Sequence, residues 1–190
     1  RLALGQSRDE SDTFKNGAYS STFNTRRDTL SWQNDLDLGA RRQFTLGADY
    51  QEDKVESSTA YTVSSRDNTG VFAQFLAGAG AHDFKFSLRH DDNSQFGGSN
   101  TGNAAWGMDM GNDLRARLSY GTAFKAPTFN QLYFPGFGNP ALLPEKSKSL
   151  EAGLSGRYKP GTWGVNMFES RITDLIGFDG TTSPSNASAR

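Results

Sequence analysis

Apolar and polar residues alternate along most of this chain with a period of two, and a helical period is almost absent. Leu30, Trp32, Leu36 and Leu38 share one face, with Ser31, Gln33, Asp35 and Asp37 on the other. The same alternation places Phe44, Leu46, Ala48 and Tyr50 together, then Phe84, Phe86 and Leu88, then Leu114, Ala116, Leu118 and Tyr120. Leu150, Ala152, Leu154 and Tyr158 continue it, while Val71–Ala77 is less regular and the run from Thr162 to Phe178 loses its phase after Met167. This pattern predicts nine strands, at about 2–8, 22–38, 42–54, 69–78, 82–91, 104–110, 114–125, 147–159 and 162–178.

The connections carry the architecture. Gly39-Ala40-Arg41, Ala79-Gly80-Ala81, Gly111-Asn112-Asp113 and Pro160-Gly161 have the residues of tight turns. Between them lie long connections at 8–21, 55–68, 92–103 and 126–146, and a tail from Asp179. Strict alternation of short and long puts all tight turns at one end of an up-and-down antiparallel sheet. Outer-membrane barrels have this asymmetry. A soluble sandwich would show the same apolar–polar alternation, but several of these strands run to ten residues or more, against a usual length of roughly 5–6. Tyr and Trp near strand ends (Trp32, Tyr50, Tyr120, Tyr158, Trp163) suit an interfacial girdle. The expected fold is therefore all-β, an antiparallel up-and-down transmembrane barrel segment of about nine strands.

Composition changes this picture little. Hydrophobic residues are 35% of the 190 and mean hydropathy is −0.65, so a hydropathy scan finds no membrane helix. A barrel strand escapes such a scan, because only every second side chain meets lipid. The formal net charge of −1 gives no reason to expect nucleic acid as a partner, and the absence of cysteine excludes disulfides and thiolate chemistry. No serine-nucleophile elbow and no phosphate-binding loop is present, and the chain is not expected to be an enzyme. His82 and His90 have no third ligand at metal-site spacing. Glu52-Asp53 and Asp91-Asp92 read as solvated loop-edge carboxylates, and Arg26-Arg27 and Arg41-Arg42 as short basic pairs.

The stretch SYGTAFKAPTFNQLYFPGFGNPALLPEKSKSLE, Ser119–Glu151, says most. Prolines at 127, 135, 140 and 144 and aromatics including Phe129, Tyr133, Phe134 and Phe137 make a shaped loop between two strands. Those aromatics can cover a large, flat, partly apolar ligand or form the loop's own small core.

SYGTAFKAPTFNQLY followed by GNPALLPEKSKSLEAG resembles the barrel of TonB-dependent outer-membrane receptors. With RDNTGVFAQF (Arg66–Phe75), RHDDNSQFGG (Arg89–Gly98) and SRITDLIGFD (Ser170–Asp179), the sequence is most similar to the cobalamin receptors of that family. The resemblance implies a ~22-stranded barrel around an N-terminal plug, of which this sequence would be a partial barrel domain, residues 1–190, without the plug or the closing C-terminal strands. It implies cobalamin or another large, scarce ligand, TonB acting through the plug, and outer-membrane lipid as partners. Thr69 falls where such receptors contact their ligand, and Tyr133, Phe134 and Phe137 lie on the candidate binding loop. Calcium on acidic outer loops is a further implication of the family. Asp12 matches one ligand position, while Asn24 and Ser20 stand where acidic residues are expected. A ferric-siderophore receptor, a passive porin or adhesin barrel and a soluble β-sheet binding protein are the alternatives.

Overall fold

The structure, a computed structural model, describes residues 1–178 and 183–189. Ten strands form one antiparallel sheet in chain order: β1 (Leu2–Lys15), β2 (Ala18–Asp37), β3 (Arg42–Ser57), β4 (Ser65–Ala79), β5 (His82–Asn93), β6 (Gly97–Gly111), β7 (Leu114–Lys125), β8 (Glu145–Tyr158), β9 (Gly161–Gly177) and β10 (Ser185–Ala189). One short helix, α1 (Phe129–Tyr133), lies in the connection between β7 and β8. Every strand pairs with its sequence neighbours, so the sheet is an up-and-down meander with β1 and β10 at its edges. It is not closed.

The expectation of nine strands is corrected to ten. Ser185–Ala189 lies within the expected tail and pairs with the outer end of β9, Ser185 opposite Gly177 and Asn186 opposite Ile176. Its sequence, SNASA, has no large apolar residue to reveal it, and the Asn186 side chain adds to the backbone pairing by donating to Asp174 O at 2.6 Å. Residues 179–182 of the expected tail lie outside the described residues.

Two of the expected long loops are also strands. Residues 8–21 continue β1 and β2 past the apolar part of the sheet and close on a two-residue turn, Asn16 (φ 54°) and Gly17 (φ 80°). Asn-Gly is the residue pair that adopts this geometry at least cost. Both faces of this hairpin meet water, so polar residues such as Asp9, Glu10 and Asp12 obscured its pairing. Residues 92–103 are likewise β5, a tight turn and β6, since β5 runs to Asn93 and β6 starts at Gly97. The Asn93 side chain organises that turn by accepting from Gln95 N at 3.1 Å and Phe96 N at 3.2 Å.

The two faces of the sheet differ sharply. On the convex face Leu88 and Met167 are each 73% exposed, and Leu30, Trp32, Tyr50, Phe86, Leu150 and Val165 are also exposed. This apolar band has an abrupt outer border. Two residues further out on the same face, Leu30 gives way to Asp28, Tyr50 to Glu52, Leu150 to Lys148 and Met167 to Glu169. Such a contiguous apolar surface is far too large for a soluble monomer and fits the hydrocarbon of a bilayer. The buried hydrophobic residues among those described are Val55, Phe129, Leu132 and Leu142, and all lie at the outer end. The sheet itself has no core on its convex side because lipid takes that place.

The concave face is polar and cross-linked. Arg89 on β5 passes over β4 to Asp49 on β3, and Arg115 on β7 passes over β6 to Asp83 on β5, each guanidinium reaching carboxylate at 2.7 Å. The strand passed over offers a glycine each time. A Cβ at Gly70 would lie 1.9 Å from Arg89 Nη2, and one at Gly107 would lie 2.6 Å from Arg115 Nη2. Arg41 also reaches Asp83, at 2.7 Å, so the carboxylate of Asp83 is shared by two arginines near the inner turns. These bridges clamp strands two apart and hold the inner wall polar.

Candidate functional site: a buttressed loop across the outer mouth

The 126–144 connection has an internal structure that its residues dictate. Pro127 is fully buried, and Thr128 caps α1 by accepting from Gln131 N at 3.2 Å while Gln131 Oε1 accepts from Thr128 N at 2.8 Å. This reciprocal capping box stabilises a helix of only five residues. Phe134, extended ahead of Pro135, ends it. The chain then folds back with Gly138 N on Phe134 O at 2.7 Å and Asn139 N on Gln131 O at 2.8 Å. Leu132, 0% exposed, Phe129 and Leu142 are the buried apolar side chains of the connection and supply its small core. Of the two readings of the loop aromatics, Phe129 belongs to that core, whereas Phe134 and Phe137 remain 44% and 37% exposed.

The outer ends of neighbouring strands hold the loop on both sides. Toward β3 and β4, Tyr61 Oη donates to Asn130 Oδ1 at 2.5 Å, and Arg66 Nη1 donates to Pro127 O at 2.8 Å. The tip between β5 and β6 contributes Gln95, whose Nε2 donates to the Tyr133 hydroxyl. Toward β9 and β10, Asn139 Nδ2 donates to Pro184 O at 3.0 Å, and Leu143 N donates to Asn186 Oδ1 at 2.9 Å. A line of ring contacts follows the same path: Phe23 to Tyr61 at 5.8 Å, Tyr61 to Phe134 at 6.4 Å, Phe134 to Phe137 at 6.5 Å and Phe137 to Phe178 at 5.4 Å. The loop thus runs along the rim as a strap linking the outer ends of the hairpins.

Beneath the strap the concave face forms a cleft of about 450 Å³ lined by Arg27, Asp53, Arg66, Asn68, Arg89 and Asp91 among others. Asp53 accepts from Arg27 Nε at 2.6 Å and Nη2 at 3.2 Å, and Asp91 accepts from Arg89 and from Asn68 Nδ2 at 2.8 Å. Arg66 is the exception in this paired set. Its side chain is 11% exposed, Asp53 is 4.0 Å away, and its guanidinium lies 4.9 Å from the Phe129 ring centre and 5.9 Å from that of Phe96. Burial lowers its pKa, and the charge of Asp53 opposes that shift. Burial raises the pKa of Tyr61.

Of the candidate residues, Tyr133, Phe134 and Phe137 stand together on the strap. Tyr133 is half-buried and bonded to Gln95, and the other two are open at the surface. Thr69 does not join them. It is exposed on the convex face opposite Tyr50 and Asp92, and the residues of β4 that turn to the cleft are its neighbours Asn68 and Gly70. Asp12 and Asn24 lie on the β1–β2 hairpin, where Asp12 accepts from Thr22 Oγ1 and Asn24 Oδ1 accepts from Ser11 N at 3.2 Å. One carboxylate and one amide, both already bonded, do not fit a calcium ion, which takes six or more oxygens. Among the described residues no three His, Cys, Asp or Glu side chains converge to hold a metal. His82 Nδ1 accepts from Trp106 Nε1 at 3.1 Å, and His90 Nδ1 meets Asn100 Oδ1 at 2.8 Å.

Sequence reasoning missed Arg66, Tyr61, Gln95 and Phe178 as parts of this site. All four lie in or beside other outer strand ends, and only the fold brings them to the strap. Tyr61, Arg66 and Gln95 are aromatic or long polar residues in expected outer connections, and Phe178 closes the last expected strand. Arg66, Gln95 and Phe178 also fall in segments that carry the family resemblance, but none of this points to the strap.

Comparison with known proteins agrees with the geometry. Residues 2–190 match the model of the family described as TonB dependent receptor-like, beta-barrel. The chain is 34% identical over 179 residues to the vitamin B12 transporter BtuB of Photobacterium profundum, a match that covers 94% of this chain and 30% of that protein. The siderophore receptor PirA of Pseudomonas aeruginosa superposes with a TM-score of 0.81 at 20% identity, over 98% of this chain and 38% of that one. The ferric enterobactin receptor PfeA of the same species, a Q482A mutant with enterobactin bound, gives 0.72 at 17% identity, over 92% and 32%. At these identities the two structures bear on the fold alone. The chain spans about a third of the length of these relatives. It belongs to the TonB-dependent receptor β-barrel family, whose members reside in the outer membrane of Gram-negative bacteria.

Proposed function

We propose that this chain forms wall and outer mouth of an active-transport receptor for cobalamin or a related corrinoid. The 34% identity to a vitamin B12 transporter over 94% of the chain carries the ligand class. The strap, with Phe134 and Phe137 open at the rim above a polar cleft, supports this reading. A corrin ring is broad and partly apolar with polar side groups, and aromatic faces beside hydrogen-bonding groups match such a molecule. In this reading the plug and its contact with TonB lie outside these 190 residues, external loops capture the ligand, and the energised TonB complex draws the plug aside. The chain contributes binding and passage, not chemistry on the ligand.

The test is complementation. Cells lacking their own cobalamin receptor should regain growth that depends on nanomolar cobalamin when they express the intact protein, and only with a functional TonB. Growth restored on a ferric siderophore in place of cobalamin would transfer the assignment to the siderophore receptors, whose barrels superpose on this one. Uptake independent of TonB would instead favour a passive barrel.

A further inference from the structure

Resting on the reading of the outer mouth as a ligand site, we propose that Arg66 is its positioning residue. It fixes the root of the 126–144 strap to the barrel wall, so that Phe134 and Phe137 are already set when the ligand arrives. Asp53, the acid nearest Arg66, is fully engaged elsewhere: Arg27 holds both its oxygens, and Gln51 Nε2 donates to it at 3.1 Å. Arg66 stands off at 4.0 Å and makes its close contacts with the loop instead. Its Nη1 satisfies the carbonyl of Pro127, the first buried residue of the strap, at 2.8 Å, and its guanidinium carbon lies over the ring of Phe129, the first residue of α1, 4.9 Å from the centroid. Phe96, from the β5–β6 tip, is 5.9 Å from the same guanidinium. One largely enclosed side chain on β4 therefore joins the wall, the neighbouring hairpin tip and the start of the helix. Phe134 and Phe137 follow within the next two turns of chain, so their position depends on that root. A planar, multi-donor cation is what this junction needs, and lysine does not supply it.

The experiment uses the intact receptor in detergent, with Arg66→Ala, Arg66→Lys, Phe129→Ala and the Arg66→Ala/Phe129→Ala pair, and Arg26→Ala on the convex face as control. Three readouts are taken: heat-modifiable gel mobility for the folded barrel, chymotryptic cleavage within 126–144 without ligand, and equilibrium binding of cyanocobalamin. The barrel should remain folded, and the strap should be cut faster in Arg66→Ala and nearly as fast in Arg66→Lys. Cyanocobalamin should bind about 10- to 100-fold more weakly, as expected for losing a charged hydrogen bond and its stacking. The double variant should cost little beyond either single change, because both break one junction. Full rescue by lysine would assign Arg66 to charge balance beside Asp53 and overturn the proposal, as would wild-type protection of the strap in a folded Arg66→Ala barrel. Lysine carries the same test should the alanine variant not fold. Cleavage behaving as expected in a receptor that binds no cyanocobalamin would remove the ligand assignment and leave the junction standing.

Discussion

Arg89 on β5 grips Asp49 on β3 through two hydrogen bonds of 2.7 Å, crossing β4 in the gap left by Gly70. The same guanidinium holds Asp91, which is 4% exposed. The bridge therefore needs a residue without a side chain on the intervening strand. Gly70→Ala would displace the guanidinium, leaving Asp49 without this partner and buried Asp91 with Asn68 alone. The folded barrel should lose about 1–3 kcal/mol, read by urea titration of heat-modifiable mobility. Combining Gly70→Ala with Arg89→Ala should add little. Full additivity would show that Gly70 and Arg89 act apart.

The convex band makes a separate prediction. Phe86, half exposed and flanked along β5 by Phe84 and Leu88, sits mid-way in the apolar stretch, while Ser87 faces the cleft side. Phe86→Arg should destabilise folding into lipid vesicles by about 2–4 kcal/mol, the cost of a cation near the bilayer midplane. Ser87→Arg should cost far less. Equal effects would remove the assignment of faces.

The small core of the strap should fail locally. Leu132 is fully buried, and Phe129 and Leu142 of the same connection are buried with it. Leu132→Ala should cost about 2–5 kcal/mol of local stability. It should speed hydrogen exchange within 126–144 while the strands keep their protection. Loss of protection throughout the sheet would mean that the strap holds the barrel rather than the reverse.

Tyr61 adds a pH dependence. Its folded pKa is raised above the ordinary value near 10 by burial, so its contribution is fully present below that pH. The contribution is lost as pH rises through the folded pKa, when the phenolate can no longer donate to Asn130. Chymotryptic protection of the strap should be constant from neutral pH to about 9 and fall beyond 10. Tyr61→Phe should flatten that profile and lower protection at all pH values.

The fold was legible where one side of a strand meets lipid and the other water. Leu30–Leu38 and Leu150–Tyr158 show it directly, because each second residue reports the solvent of its face. Above the membrane both faces meet water, and alternation disappears although pairing continues. Hence Asp9–Lys15 was hidden in a strand, and only Asn16-Gly17 marked the turn. Phe134 and Phe137 were legible as loop aromatics with limited freedom. Thr69 was placed by its segment rather than by its parity, and parity turns it outward. Arg66 was invisible because its meaning depends on Pro127 and Phe129, distant along the chain and adjacent only once the hairpins stand side by side.

Equilibrium binding of labelled cyanocobalamin to the intact receptor, set beside the Phe134→Ala/Phe137→Ala variant, tests the central claim most directly. Saturable binding that weakens about tenfold or more in a still-folded variant is expected, given the roughly 0.5–1.5 kcal/mol each exposed aromatic contributes beyond its buried area. A folded receptor that ignores cyanocobalamin, or binds it equally well without those two rings, would contradict the account.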